Sequence, residues 1–225
     1  EMKLFSLLLA GCMAAGAPCA RCAEWMLEVR NGDFERRNAV VHQPVTREWA
    51  GLFESHTLAE TTGGAAVPVP CAVDASGVAP ELVWFLSGTT APGAVRTFAV
   101  VPKRVESVLA GDLFCTDAGE AVTVENSFYR LSQPARGGGG FPRDVTFVQS
   151  GRGDPRLYFL DRIVREQGDR VEQFVARDCP DSESRVVFKS PLRVTVETRT
   201  GFGPKPAETP GNPRAVYRYT YTAFS

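Results

Sequence analysis

The sequence predicts an all-β protein, and three observations carry that prediction. Apolar residues alternate or run in short stretches rich in Val, Phe and Tyr; Gly, Pro, Asn and Asp interrupt them roughly every ten residues; and no long segment keeps a helical repeat. Such a pattern belongs to barrels and sandwiches.

Taken in order, Trp25 to Arg30 reads as the first strand and ends at the turn Asn31-Gly32-Asp33. Ala66 to Val73 alternates but carries Pro68 and Pro70, which have no N–H to donate, so it suits a sheet edge. Glu81 to Leu86 is a near-continuous apolar strand closed by Ser87-Gly88, and Ala94 to Val101 follows Pro92-Gly93. Val105, Val108, Leu109 and Leu113 are spaced as in one short helix or a linker.

After Asp117-Ala118-Gly119-Glu120 a second strand series opens. Ala121 to Asn126 leads into Ser127 to Leu131 through a tight turn at Asn126-Ser127. Asp144 to Val148, Arg156 to Val164 and Arg170 to Val175 continue it, and Ser184 to Thr200 alternates on both sides of Pro191. Past the polar loop Gly201 to Pro213, the strand Ala215 to Thr222 puts Tyr217, Tyr219 and Tyr221 on one face. An exposed aromatic strand invites pairing. The expectation is that partner strands lie beyond Ser225 and that the second domain is incomplete.

With 225 residues, 44% hydrophobic and 23% charged, the composition is globular, with length for one large β domain or two small ones. A net charge of −1 removes the electrostatic case for nucleic acid or an anionic membrane surface. Residues 1–23 read as a leader: Lys3, an apolar run from Leu4 to Gly11, then small residues from Ala14 to Ala20. Leu9-Ala10-Gly11-Cys12 resembles the lipobox of bacterial lipoproteins, which makes Cys12 a candidate lipidation site. Ordinary cleavage between Ala17 and Ala23 is the competing reading. Either one places the mature chain outside the cytoplasm, secreted, periplasmic or held at a membrane by lipid alone. Cys71, Cys115 and Cys179 have neither zinc spacing nor an obvious pairing, so they read as buried residues with at most one disulfide.

The motif with the sharpest ambiguity is Arg136-Gly137-Gly138-Gly139-Gly140-Phe141-Pro142-Arg143. A phosphate loop would need a Gly-Lys-Ser/Thr ending and a following helix, whereas Pro142 opens a strand-like run. Close passage of two β segments is the better account, because glycine permits positive φ and near backbone approach. Gly151-Arg152-Gly153-Asp154 contains Arg-Gly-Asp and reads as a β-turn; Asp161-Arg162 reads as a structural ion pair. His42 and His56 lack partners at ligand spacing, so neither metal nor cofactor is expected, and no G-x-S-x-G elbow supports a Ser-His-Asp triad. Trp84 lies in an apolar run and reads as core, while Trp49, beside Arg47 and Glu48, reads as exposed. No catalytic residue is assigned. Arg136, Phe141, Arg143 and Trp49 are the candidate substrate-binding residues, the first three because neighbouring glycines would leave room for a ligand.

Four segments, residues 28–41, 81–101, 122–148 and 209–225, together resemble the N-terminal part of exo-rhamnogalacturonan lyase-like proteins. The resemblance implies a small RIFT-type β-barrel over 24–115 followed by an incomplete β-sandwich over 116–225. It further implies a missing C-terminal α/α toroid carrying β-elimination chemistry on pectin. This chain would then be the non-catalytic supporting portion of a secreted pectin-degrading protein. The alternative is a standalone secreted β protein that binds a polysaccharide or oligosaccharide through exposed aromatics.

Overall fold

The structure is a computed structural model, and it describes residues 25–103, 111–148, 150, 152–154, 161–205, 207–208 and 210–223. Cys12 and most of the helix or linker candidate near Val105 lie outside these residues. The chain divides into two compact units, Glu1–Ala110 and Gly111–Ser225.

In the first unit, strands β1 (Met26–Arg30), β2 (Arg36–Pro44), β3 (His56–Glu60), β4 (Val67–Pro68), β5 (Cys71–Asp74), β6 (Glu81–Thr90) and β7 (Val95–Pro102) build two open sheets. Their orders are β1-β7-β3-β4 and β2-β6-β5, with every pair antiparallel. The expected RIFT-type barrel is therefore corrected: no closed barrel forms among the described strands. Pro68 and Pro70 cannot donate to a ladder, so the chain turns a corner there, with Val69 N–H bonding Leu58 on one sheet and Pro70 C=O accepting Phe85 N–H on the other.

Alternation sends Leu27 and Val29 of β1 and Leu82, Trp84 and Leu86 of β6 into one core with Val41, Leu58 and Phe98. Trp84 and Phe98 are fully buried, with ring centroids 6.0 Å apart, edge to face. Helix α1 (Arg47–Leu52) is capped by Thr46, whose hydroxyl accepts Trp49 N–H at 3.2 Å. Asn31 closes the end of the unit. Its Nδ2 lies 2.8, 2.8 and 2.9 Å from the carbonyls of Phe34, Thr90 and Ala91, two hydrogens shared among three acceptors.

The second unit holds a five-stranded antiparallel meander, β8 (Phe114–Asp117), β9 (Ala121–Glu125), β10 (Tyr129–Pro134), β11 (Arg143–Phe147) and β12 (Arg152–Asp154). Strands β13 (Arg162–Gln167) and β14 (Arg170–Val175) pair as a hairpin. Strands β15 (Glu183–Lys189), β16 (Arg193–Gly201) and β17 (Arg214–Thr222) form a third sheet. Arg-Gly-Asp is thus an edge strand, β12, paired to β11, and not the expected β-turn. Asn126 does make the turn between β9 and β10: its side-chain oxygen accepts the N–H groups of Phe128 and Tyr129, both at 2.9 Å. Val122, Val124, Leu131, Val194 and Val196 point inward and are buried.

Candidate functional site

The four-glycine run ends this unit's β10 side and answers its own ambiguity. Gly137, Gly138, Gly139 and Gly140 all have positive φ, between 61° and 71°. A Cβ on Gly140 would stand 2.4 Å from Thr198 Cγ2 and 2.5 Å from Ser184 Oγ; one on Gly139 would stand 2.9 Å from the Ala176 backbone. The glycines let one backbone cross another at a distance no side chain allows, which leaves no cradle for a ligand beneath them.

Around the crossing lies a polar network buried between sheets. Gln133 is 0% exposed; its Nε2 donates to Gly140 C=O at 2.7 Å and to Thr198 Oγ1 at 3.0 Å. Tyr221 O–H donates to Gln133 Oε1 at 2.9 Å, and the hydroxyls of Ser184 and Thr198 bond at 2.8 Å. Tyr217 O–H donates to the Asp161 carboxylate. Burial pushes the phenols of Tyr217, Tyr219 and Tyr221 well above the ordinary tyrosine range, and the Asp161 charge pushes Tyr217 and Tyr219 the same way. These phenols stay protonated at neutral pH; Tyr217 and Tyr221 act as hydrogen-bond donors, while the buried Tyr219 hydroxyl has no hydrogen-bond partner among the described residues. The tyrosine face that sequence alone leaves exposed is half-buried within the unit, with the Tyr217 ring tilted against Phe141, centroids 5.6 Å apart.

Two of the candidate binding residues are buried. Phe141 is 6% exposed, in a cluster with Ala176 and Phe202; its neighbouring glycines provide close packing, not space. Trp49 is 4% exposed, edge to face with Trp25 at 4.9 Å. Its charged neighbours misled: on a short helix, adjacent side chains point in different directions. Arg136 is exposed, its backbone bridged to Glu183. Arg143 is exposed on β11, and its guanidinium leans over the Gly138 carbonyl at 3.5 Å. Trp49 belongs to the first unit and the other three to the second, of which Phe141 alone is core.

Other chemistry-bearing groups are also engaged. Cys71, Cys115 and Cys179 are free thiols. Asp161 is held by Tyr217, not by the expected ion pair with Arg162. Asp181 accepts Ala207 N–H at 2.8 Å and the Cys179 thiol at 3.2 Å, contacts that lower its pKa. Among the described residues, no cluster of His, Cys, Asp or Glu could hold a metal ion.

The surface that sequence reading missed is the outer face of the five-stranded sheet. Register places Phe114, Glu125, Arg130 and Thr146 side by side in one row. The next row on the same face is Thr116, Thr123, Ser132 and Arg143. Their sequence neighbours Cys115, Val124 and Leu131 are buried, which fixes this face as the solvent side. The signal was present as the alternation of Ala121 to Glu125, but a polar strand face is ordinarily read as mere solvation.

No family model matches the sequence, and no curated protein matches it. Solved structures similar to the chain include two from Enterococcus faecalis. One is an α-mannosidase from Enterococcus faecalis V583, with 14% identity and a TM-score of 0.49, covering 78% of this chain and 23% of that one. The other is a protein in the glycosyl hydrolase family 38 from Enterococcus faecalis, with 13% identity and a TM-score of 0.43, covering 78% of this chain and 22% of that one. The chain spans less than a quarter of the length of either. Neither description names a rhamnogalacturonan lyase, and no family model supports that resemblance, so the reading from the four sequence segments is corrected. Those segments are short strands joined by Gly/Pro turns, a pattern that unrelated all-β chains share.

Proposed function

We propose that the chain is a non-catalytic β module of an exported carbohydrate-active protein, supporting chemistry performed elsewhere in that protein. One observation carries the reading. The buried polar groups of the second unit are engaged in two hydrogen-bonded sets, Tyr217 with Asp161, and Tyr221 with Gln133, Gly140 and Thr198. Catalytic groups need to meet a substrate, and these meet only their neighbours. The carbohydrate assignment is supported by the solvent face of the meander, which offers hydroxyls, a charge-balanced pair and an aromatic ring. Export is supported by the charged start, apolar run and small residues of positions 1–23, with Cys12 as the lipid-bearing residue if the lipobox is used.

The test is incubation of the purified chain with a panel of nitrophenyl glycosides and neutral polysaccharides, followed by assays for released nitrophenol, new reducing ends and unsaturated sugar. No product above the buffer blank is expected. Turnover that survives repurification would overturn the non-catalytic assignment.

A further inference from the structure

We propose that the outer face of the meander is a binding platform for a neutral oligosaccharide, with Phe114 as its stacking residue. This rests on the module reading above and goes beyond it by naming the surface and the ligand class. Phe114 is 68% exposed although it sits in a strand whose next residue, Cys115, is 7% exposed. Alternation turns the Phe114 ring to the solvent side of the sheet, where its apolar face is open to a ligand. At about 4.8 Å between strands, the row from Phe114 to Thr146 extends about 14 Å, wide enough for more than one sugar ring.

The polar groups fit a polyol better than other partners. Glu125 and Arg130 lie beside Phe114 as a loose exposed pair, 3.7 Å apart, so each keeps free hydrogen-bonding capacity. Within the described residues no side-chain bond ties up the hydroxyls of Thr116, Thr123 or Ser132. One carboxylate and one guanidinium balance the Phe114 row, and Arg143 in the next row, the one further charge on these two rows, donates to the Gly138 carbonyl, a small net charge that favours an uncharged ligand over a nucleic acid or polyuronate. The face is also too polar for an obligate protein interface, whose centre would be more apolar. A sugar offers both requirements together: an apolar ring face for the phenyl group and hydroxyls for the carboxylate, guanidinium and threonines.

The experiment is a titration of the full chain with mannohexaose, cellohexaose and hexagalacturonate, followed by backbone amide NMR. At least one neutral hexasaccharide is expected to bind, shifting amides of β8, β9 and β10. Phe114→Ala should weaken that binding about tenfold, and Thr123→Lys should weaken it by crowding the row. Both changes are at solvent-facing positions, and an unchanged melting curve shows that the variants fold. Absence of binding to either neutral sugar, binding to hexagalacturonate alone, or equal affinity in Phe114→Ala would each overturn the platform. None of those outcomes bears on turnover, so the non-catalytic assignment stands or falls separately.

Discussion

Replacing Gly140 by alanine tests whether the four-glycine run is a close crossing. Two costs add. The residue has φ +64°, where an L side chain costs about 1–2 kcal/mol. The new methyl would also sit 2.4 Å from Thr198 Cγ2 and 2.5 Å from Ser184 Oγ, an overpacking cost of about 1–3 kcal/mol. The expected loss is therefore about 2–5 kcal/mol. Gly168→Ala isolates the first cost: its φ is +58° and nothing lies within 4 Å, so about 1–2 kcal/mol is expected. Gly63→Ala has neither open-space conflict nor positive φ and should be neutral or stabilising by up to about 1 kcal/mol. The chain supplies its own reporters. All 3 tryptophans precede Gly111 and all 5 tyrosines follow it, so urea melts by tryptophan fluorescence and by near-ultraviolet tyrosine dichroism follow the two units separately. Gly140→Ala should move the tyrosine transition. If it destabilises no more than Gly168→Ala, the close-approach reasoning is wrong.

Gln133→Leu should cost about 2–4 kcal/mol in the same melts, because the Gly140 carbonyl and the hydroxyls of Thr198 and Tyr221 all lose a partner in a dry site. In the first unit, hydrogen bonding to Arg96 lowers the Glu60 pKa, so its support is full above the usual carboxylate range and fades as pH falls through the folded value. Glu60→Gln should cost about 1–2 kcal/mol near pH 7 and flatten the acid limb of the tryptophan-monitored stability curve. The raised phenols have the opposite sign: tyrosine-monitored stability should be intact below about pH 10 and drop as pH rises above it. Asp161→Asn should let Tyr217 and Tyr219 ionise at lower pH, measured by phenolate absorbance; an unchanged titration would remove Asp161 from the account.

Period-two alternation made most of the strands legible. With the turn residues between strands it located β1, β5, β7, β9, β10, β11, β14, β15, β16 and β17, the continuous apolar run located β6, and alternation put the three tyrosines on one face. It failed where the backbone departs from regular pleating. In β2, Asn38 takes φ 47° and shifts the register against β6, so Arg36-Arg37-Asn38 hides a strand behind polar residues. Helix α1 has six residues, too few to show a period, so Trp49 looked exposed. Strand β6 runs on past Ser87-Gly88 because Gly88 N–H is caught by the Asn38 side chain, a partner 50 positions away. At the glycine run the ambiguity was resolved only by what lies opposite, Ser184 and Thr198, which no local window contains. The outer face of the meander escaped notice for the same reason, since its row joins residues from separate strands.

The clamp made by Asn31 has a chemical consequence for how the molecule ages. Asn31 precedes Gly32, a pairing in which the following backbone nitrogen readily attacks the side-chain amide, expels ammonia and leaves a succinimide that hydrolyses to aspartate or isoaspartate. Here the amide nitrogen is held by three carbonyls and the residue is 4% exposed, so the leaving group is pinned and shielded from water. Peptide mapping after long storage should find little isoaspartate at this site in buffer and abundant isoaspartate in urea. Equal conversion in both would mean that the clamp opens freely.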